Sequence, residues 1–159
     1  MSTNCNYICT MNRNNESSVP VLMLFEVGRL YGKIYKRCDK IFKEKSFPFE
    51  MDQIPVLMRL YYKGAASQQE IYSGLQRDKA SVNRTISVLL KKNIVEVIQD
   101  VTDKRKTIVE LTASGKKLAM QANTILEEFD ASLSSAFTKE ERKQFHSLML
   151  RLMDSVTLT

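Results

Sequence analysis

Two short runs of side chains in this sequence could do chemistry: Lys79-Ala80-Ser81-Val82-Asn83-Arg84 and Lys104-Arg105-Lys106. Ammonium and guanidinium groups pair with phosphate oxygens, and Arg and Asn also carry donor and acceptor sets that match base edges in a groove. The chemistry is recognition of a polyanion rather than bond-making. Catalytic groupings are missing from the sequence. His146 is the only histidine, the five glycines are scattered without a phosphate-cradling loop, and Asp100 and Asp103 fall on a polar stretch where carboxylates keep ordinary acidities. The three cysteines, Cys5, Cys9 and Cys38, have no zinc-like spacing with that histidine. The residues point to a protein that is not an enzyme and that holds no metal and no cofactor.

The rest of the composition agrees. At 159 residues with 43% apolar side chains, the chain is long enough for one domain with its own core. A formal net charge of +6 is moderate, and its clustering matters more than its size. The first eighteen residues are rich in Asn and Ser and lack an apolar signal region, and the run Val19–Phe25 is too short to span a bilayer. The cytoplasm is the expected compartment, with no membrane partner.

The elements that must position these groups follow from periodicity. Residues 1–18 read as a disordered tail. Val27, Leu30, Tyr31, Ile34, Cys38 and Ile41 recur at helical spacing, so a long helix is expected from Pro20 to about Lys45. A second helix is expected over Met51–Lys63, slightly distorted by Pro55 and closed by Gly64. Ser67-Gln68-Gln69-Glu70 is a capping box that opens a short third helix ending at Gly74 or Leu75. After the turn Gln76-Arg77, Asp78 caps a fourth helix running to about Lys92, and Asn93 suits a left-handed stop. Val95, Val97, Ile108, Val109 and Leu111 flank a charged stretch and predict a two-stranded hairpin. Thr112 and a second capping box at Thr138 open two further helices. The fold class is mainly α with a small β-hairpin wing, a winged helix-turn-helix flanked by long dimerisation helices. The expected organisation is tail 1–18, first helix 19–48, winged helix 49–112, and C-terminal helices 113–159 forming one unit with 19–48.

With Val82 at the centre of the buried face of the fourth helix, 100° per residue puts Arg84, Ser87 and Lys91 opposite, flanked by Ser81 and Asn83. Lys79 can join the helix N-terminus at a phosphate. A charged exposed helix face is common, but a basic hairpin tip beside it can lie along an adjacent minor groove. Asp103 can orient Arg105 there. The partner implied is double-stranded DNA.

These fragments together resemble the MarR family of transcriptional regulators. The resemblance rests on Gln53 with Val56-Leu57, Ser67-Gln68-x-Glu70, Asp78-Lys79-x-Ser81-Val82-x-Arg84 and Leu89-x-Lys91-Lys92. It continues through Asp100-x-x-Asp103-x-Arg105 and Val109-x-Leu111-Thr112-x-x-Gly115. Asn83 stands where the family usually has Thr, Lys104 where Arg is common, Asn93 where Gly is usual, and Glu50 in place of the customary Ser/Thr cap. The resemblance implies a homodimeric regulator, a repressor, acting on a palindromic operator. Its DNA-facing set here is Gln68, Lys79, Ser81, Asn83, Arg84, Ser87, Asp103, Lys104, Arg105 and Lys106, with Arg105 entering a minor groove.

The resemblance also implies a small aromatic or anionic effector, for which Tyr31, Tyr35, Arg59 and Tyr61 are the candidate lining; plain core packing is the other reading of those rings. A thiol-based redox switch and a winged-helix protein-interaction module without DNA binding are the alternatives. Surplus apolar residues at both chain ends, Leu24 to Tyr35 and Leu148 to Met153, suit an intertwined two-fold interface or an intrachain core.

Overall fold

The computed structural model describes residues 22–99 and 107–156. The element order is α1 (Met23–Glu44), α2 (Ile54–Lys63), β1 (Ala66–Ser67), α3 (Gln68–Gly74), α4 (Lys79–Lys91), β2 (Val95–Gln99), β3 (Thr107–Leu111), α5 (Ala113–Ser134) and α6 (Lys139–Ser155). This is the expected mainly helical fold with a hairpin wing. Two compact units divide between Met120 and Gln121. Helix α1 falls in the first unit with the winged helix.

Local chemistry sets most element ends. Ser67 accepts from the Glu70 amide while Glu70 accepts from the Ser67 amide, which satisfies two orphan donors at the start of α3. The Asp78 carboxylate accepts from the Ser81 amide at 2.8 Å and starts α4. Gly64, Gln76 and Asn93 adopt positive φ at 78°, 50° and 55°, and each reverses the chain just past a helix.

Three expectations are corrected. Helix α2 starts at Ile54, because residues 51–53 form a turn and Gln53, not Glu50, is the N-cap. Pro55 therefore sits in the first turn, where its missing N–H leaves no bond unmade, and it gives no interior distortion. The sheet has three strands rather than two, in the order β1-β3-β2 and all antiparallel. Ala66 pairs with Val109 and Ser67 with Ile108, so the residues that open α3 are also anchored to the wing.

The core of the first unit lies between α2, α3, α4 and this sheet. Val56, Leu57, Ile71, Val82, Leu89 and Val109 are completely buried there. In α4 the buried positions Val82, Ile86 and Leu89 fall on one stripe, as a period of 3.6 requires. In the second unit, α6 has no buried residue at all, although Phe145, Leu148, Leu150 and Met153 lie along it.

Candidate nucleic-acid interface

The buried stripe of α4 fixes what its other side presents. Lys79, Arg84, Ser87 and Lys91 are exposed, while Ser81 and Asn83 are half-buried. The Asn83 side-chain oxygen is turned inward without a partner among the described residues, so less of that amide is offered outward than the helical spacing suggests. The Ser87 hydroxyl donates to the Asn83 carbonyl at 2.9 Å, leaving its own oxygen as an outward acceptor. Gln68, at the first position of α3, is half-buried.

The electrostatics of this face are one-sided. The described ion pairs Glu26–Arg29, Lys40–Glu44 and Asp39–Lys43 all lie on α1. None of them involves Lys79, Arg84 or Lys91. Cations held on a rigid helix outside any described ion pair attract phosphate, and the N-terminus of α4 adds the positive end of its dipole.

Asp103, Lys104, Arg105 and Lys106 lie outside the described residues. The strands that lead to them are described: β2 and β3 pair from Val95 with Leu111 to Gln99 with Thr107.

One of the four candidate ligand residues, Tyr61, lines a cavity. This cavity of about 530 Å³ is lined by Leu60, Tyr61, Gly64, Ala65, Glu110, Leu111, Lys116, Lys117 and Met120. Tyr31 and Tyr35 form a tilted pair on α1 with ring centroids 6.1 Å apart. Arg59 faces the end of α3, its Nε 3.5 Å from where a Cβ on Gly74 would stand. Lys116 and Lys117, which the sequence reading passed over, do line the cavity. One signal could have found them. They fall at the N-terminal end of α5, where the helix dipole disfavours cations, and locally unfavourable placements concentrate at functional sites.

Cys38 is buried on α1, and burial followed by the nearby Asp39 carboxylate pushes its thiol above the ordinary range. A peroxide sensor needs an exposed thiolate, so Cys38 has the wrong environment for one. Cys5 and Cys9 lie outside the described residues.

Comparison with known proteins converges on one description. The MarR family model matches residues 49–107. The HTH-type transcriptional repressor NicR of Pseudomonas putida is 27% identical over 132 residues, covering 82% of this chain and 84% of that protein. The solved Staphylococcus aureus MepR–DNA complex superposes with a TM-score of 0.77 at 23% identity, covering 86% of this chain and 100% of the other. BpsR of Bordetella bronchiseptica, whose DNA binding is regulated by 6-hydroxynicotinic acid, superposes at 0.66 with 26% identity over 80% of this chain and 98% of its own.

Proposed function

We propose that this chain, whose residues 49–107 match the MarR family model, is a homodimeric transcriptional repressor that reads a palindromic operator with one α4 helix per half-site. The observation that carries this reading is the two-sided construction of α4. Val82, Ile86 and Leu89 seat it in the core while Arg84, Ser87 and Lys91 stand outward. Arg84 reads a base edge, Lys79 and the helix N-terminus hold phosphate, and Arg105 of the wing reaches the neighbouring minor groove. Selection from a random duplex pool tests this. The expected product is an inverted repeat whose half-site centres lie about 34–36 Å apart. Failure to retain any duplex at low salt sinks the reading and leaves a protein-interaction module.

Pairing of two copies is supported by what each unit leaves uncovered. Met23, Leu24, Leu30 and Tyr31 are exposed on α1, and Phe145, Leu148, Leu150 and Met153 are exposed on α6. Apolar surface of that extent is normally buried in a partner. No described helix is long and apolar enough to cross a membrane, so these faces are not read as spans. The working compartment is the cytoplasm, where the DNA is.

The cavity beside Tyr61 suits a small aromatic carboxylate as effector. Lys116 and Lys117 supply cations for the carboxylate, Tyr61 a ring face, and Glu110 an acceptor for a ring hydroxyl or N–H. Such a ligand acts only by binding the DNA-competent and DNA-incompetent forms unequally. Titration with 6-hydroxynicotinic acid, followed by tyrosine fluorescence and by release of bound duplex, tests the class; no change in either removes aromatic carboxylates from consideration.

A further inference from the structure

Helix α4 is fastened at both ends to the short connector between α1 and α2. At the leading end, Arg77 of the turn donates from Nη1 to the Asp52 carbonyl at 2.8 Å. At the trailing end, the C-cap Lys92 donates from Nζ to the Pro48 carbonyl at 2.5 Å, and the same ammonium stands 5.7 Å from the centroid of the Phe49 ring. The two acceptors lie four residues apart in the chain.

The connector in turn is welded to α1. Phe42 of α1 is almost completely buried and meets Phe47 edge-on at 5.0 Å between centroids, and Phe47 meets Phe49 at 5.3 Å. The Phe47 amide also donates to the Phe42 carbonyl at 2.9 Å. An unbroken series of contacts therefore runs from α1 through three rings to the trailing end of α4. Both cations bond carbonyl oxygens of ordered backbone, which have no rotamer to relax, so the orientation of α4 on the connector is set at two separated points.

We infer that Arg77 and Lys92 are positioning residues for operator recognition, making α4 and the C-terminal end of α1 a single rigid body. The inference rests on the DNA-binding reading above and adds to it. In a dimer that pairs through α1, the spacing and tilt of the two reading helices are then transmitted by these two bonds. Neither side chain is required to touch DNA for this. A residue that contacts phosphate directly lowers affinity for all duplexes and reduces the salt slope. A positioning residue leaves the salt slope alone and instead blurs the preference for one half-site separation.

The test uses the full chain and the duplex that the wild-type protein selects from a random pool, together with the same duplex lengthened by one central base pair. Arg77→Met and Lys92→Met, singly and together, are compared with Arg77→Lys and Lys92→Arg, which keep a cationic donor at each place. Helix content by circular dichroism accompanies every variant. The expected result is a loss of about ten-fold in affinity for the selected duplex per methionine variant. The ratio of affinities for the selected and lengthened duplexes falls by a similar factor, the salt slope is unchanged, and the conservative variants recover most of the loss. Wild-type affinity with an unchanged ratio overturns the inference. So does a parallel fall on all duplexes with a smaller salt slope, which makes the two residues phosphate contacts. Retention of no duplex by the wild-type protein removes the DNA-binding reading instead, a result the variants do not mimic.

Discussion

Gly115 lies so close to Ile94 that a Cβ on it would stand 2.0 Å from the Ile94 carbonyl oxygen. That oxygen already accepts from the Thr112 amide at 3.0 Å, and the Thr112 hydroxyl accepts from the Gly115 amide at 3.0 Å. The start of α5 is thereby pinned to the residue that leads into β2. No side chain fits between them. Gly115→Ala forces backbone apart in a packed region, and a loss of about 1–3 kcal/mol is expected. Urea unfolding checks it, and an unmoved midpoint contradicts the close approach.

Arg84→Ala is expected to lower affinity for the selected duplex by about ten-fold to a hundred-fold, the equivalent of one base contact. The melting temperature stays unchanged, because Arg84 is exposed on the face away from Val82. Selection repeated with the variant should return a consensus degenerate at one position in each half-site. A consensus as sharp as that of the wild type takes Arg84 out of base reading.

For Cys38 the sign of the pH effect follows from its raised thiol. The folded state holds this proton more tightly than the unfolded chain does. Its contribution to stability is full below the unfolded thiol value, about 8.5, and is lost as pH rises through the folded value. Stability measured between pH 7.5 and 10 should therefore fall more steeply in the wild type than in Cys38→Ala. At pH 7.5, native Cys38 should resist iodoacetamide and react readily in urea. Rapid alkylation of Cys38 in the native protein would reopen the thiol-switch alternative for that residue.

Leu148→Glu places a carboxylate on the exposed apolar side of α6. Sedimentation should show the wild type as a dimer and the variant shifted towards monomer, with operator affinity lowered at least about ten-fold. A variant that sediments as a dimer and binds normally would move the pairing surface away from Leu148.

What the sequence makes legible is what is local. The capping boxes at Ser67 and Thr138 and the Asp78 cap are formed by groups three residues apart, so type and spacing determine them. The inward stripe of α4 is a matter of period alone. Strand β1 escapes detection because two residues carry no alternation to read, and only pairing with β3, about forty residues later, makes Ala66–Ser67 a strand. The expected start of α2 is too early because Met51, three residues before Ile54, continues the apolar rhythm through what is a turn. Arg77 and Lys92 stayed hidden for a different reason. Their acceptors are carbonyl groups 25 and 44 residues distant, and a carbonyl leaves no mark in a sequence. Tyr31, Tyr35, Arg59 and Tyr61 were grouped by chemical kind, whereas the cavity groups Tyr61 with lysines of α5.

The bare exterior of α6 has a consequence for the living concentration of the protein. A helix of 17 residues with nothing of its own buried is held by a capping box, the stacked Phe137–Phe145 rings and its own backbone, and isolated helices of this length are marginal in water. With two copies paired through α6 as proposed, completion of the C-terminal part is governed by mass action. Dilution alone would loosen it. A cell that makes only a few copies would carry a regulator whose very integrity, and not merely its occupancy of a gene, reports how many molecules are present.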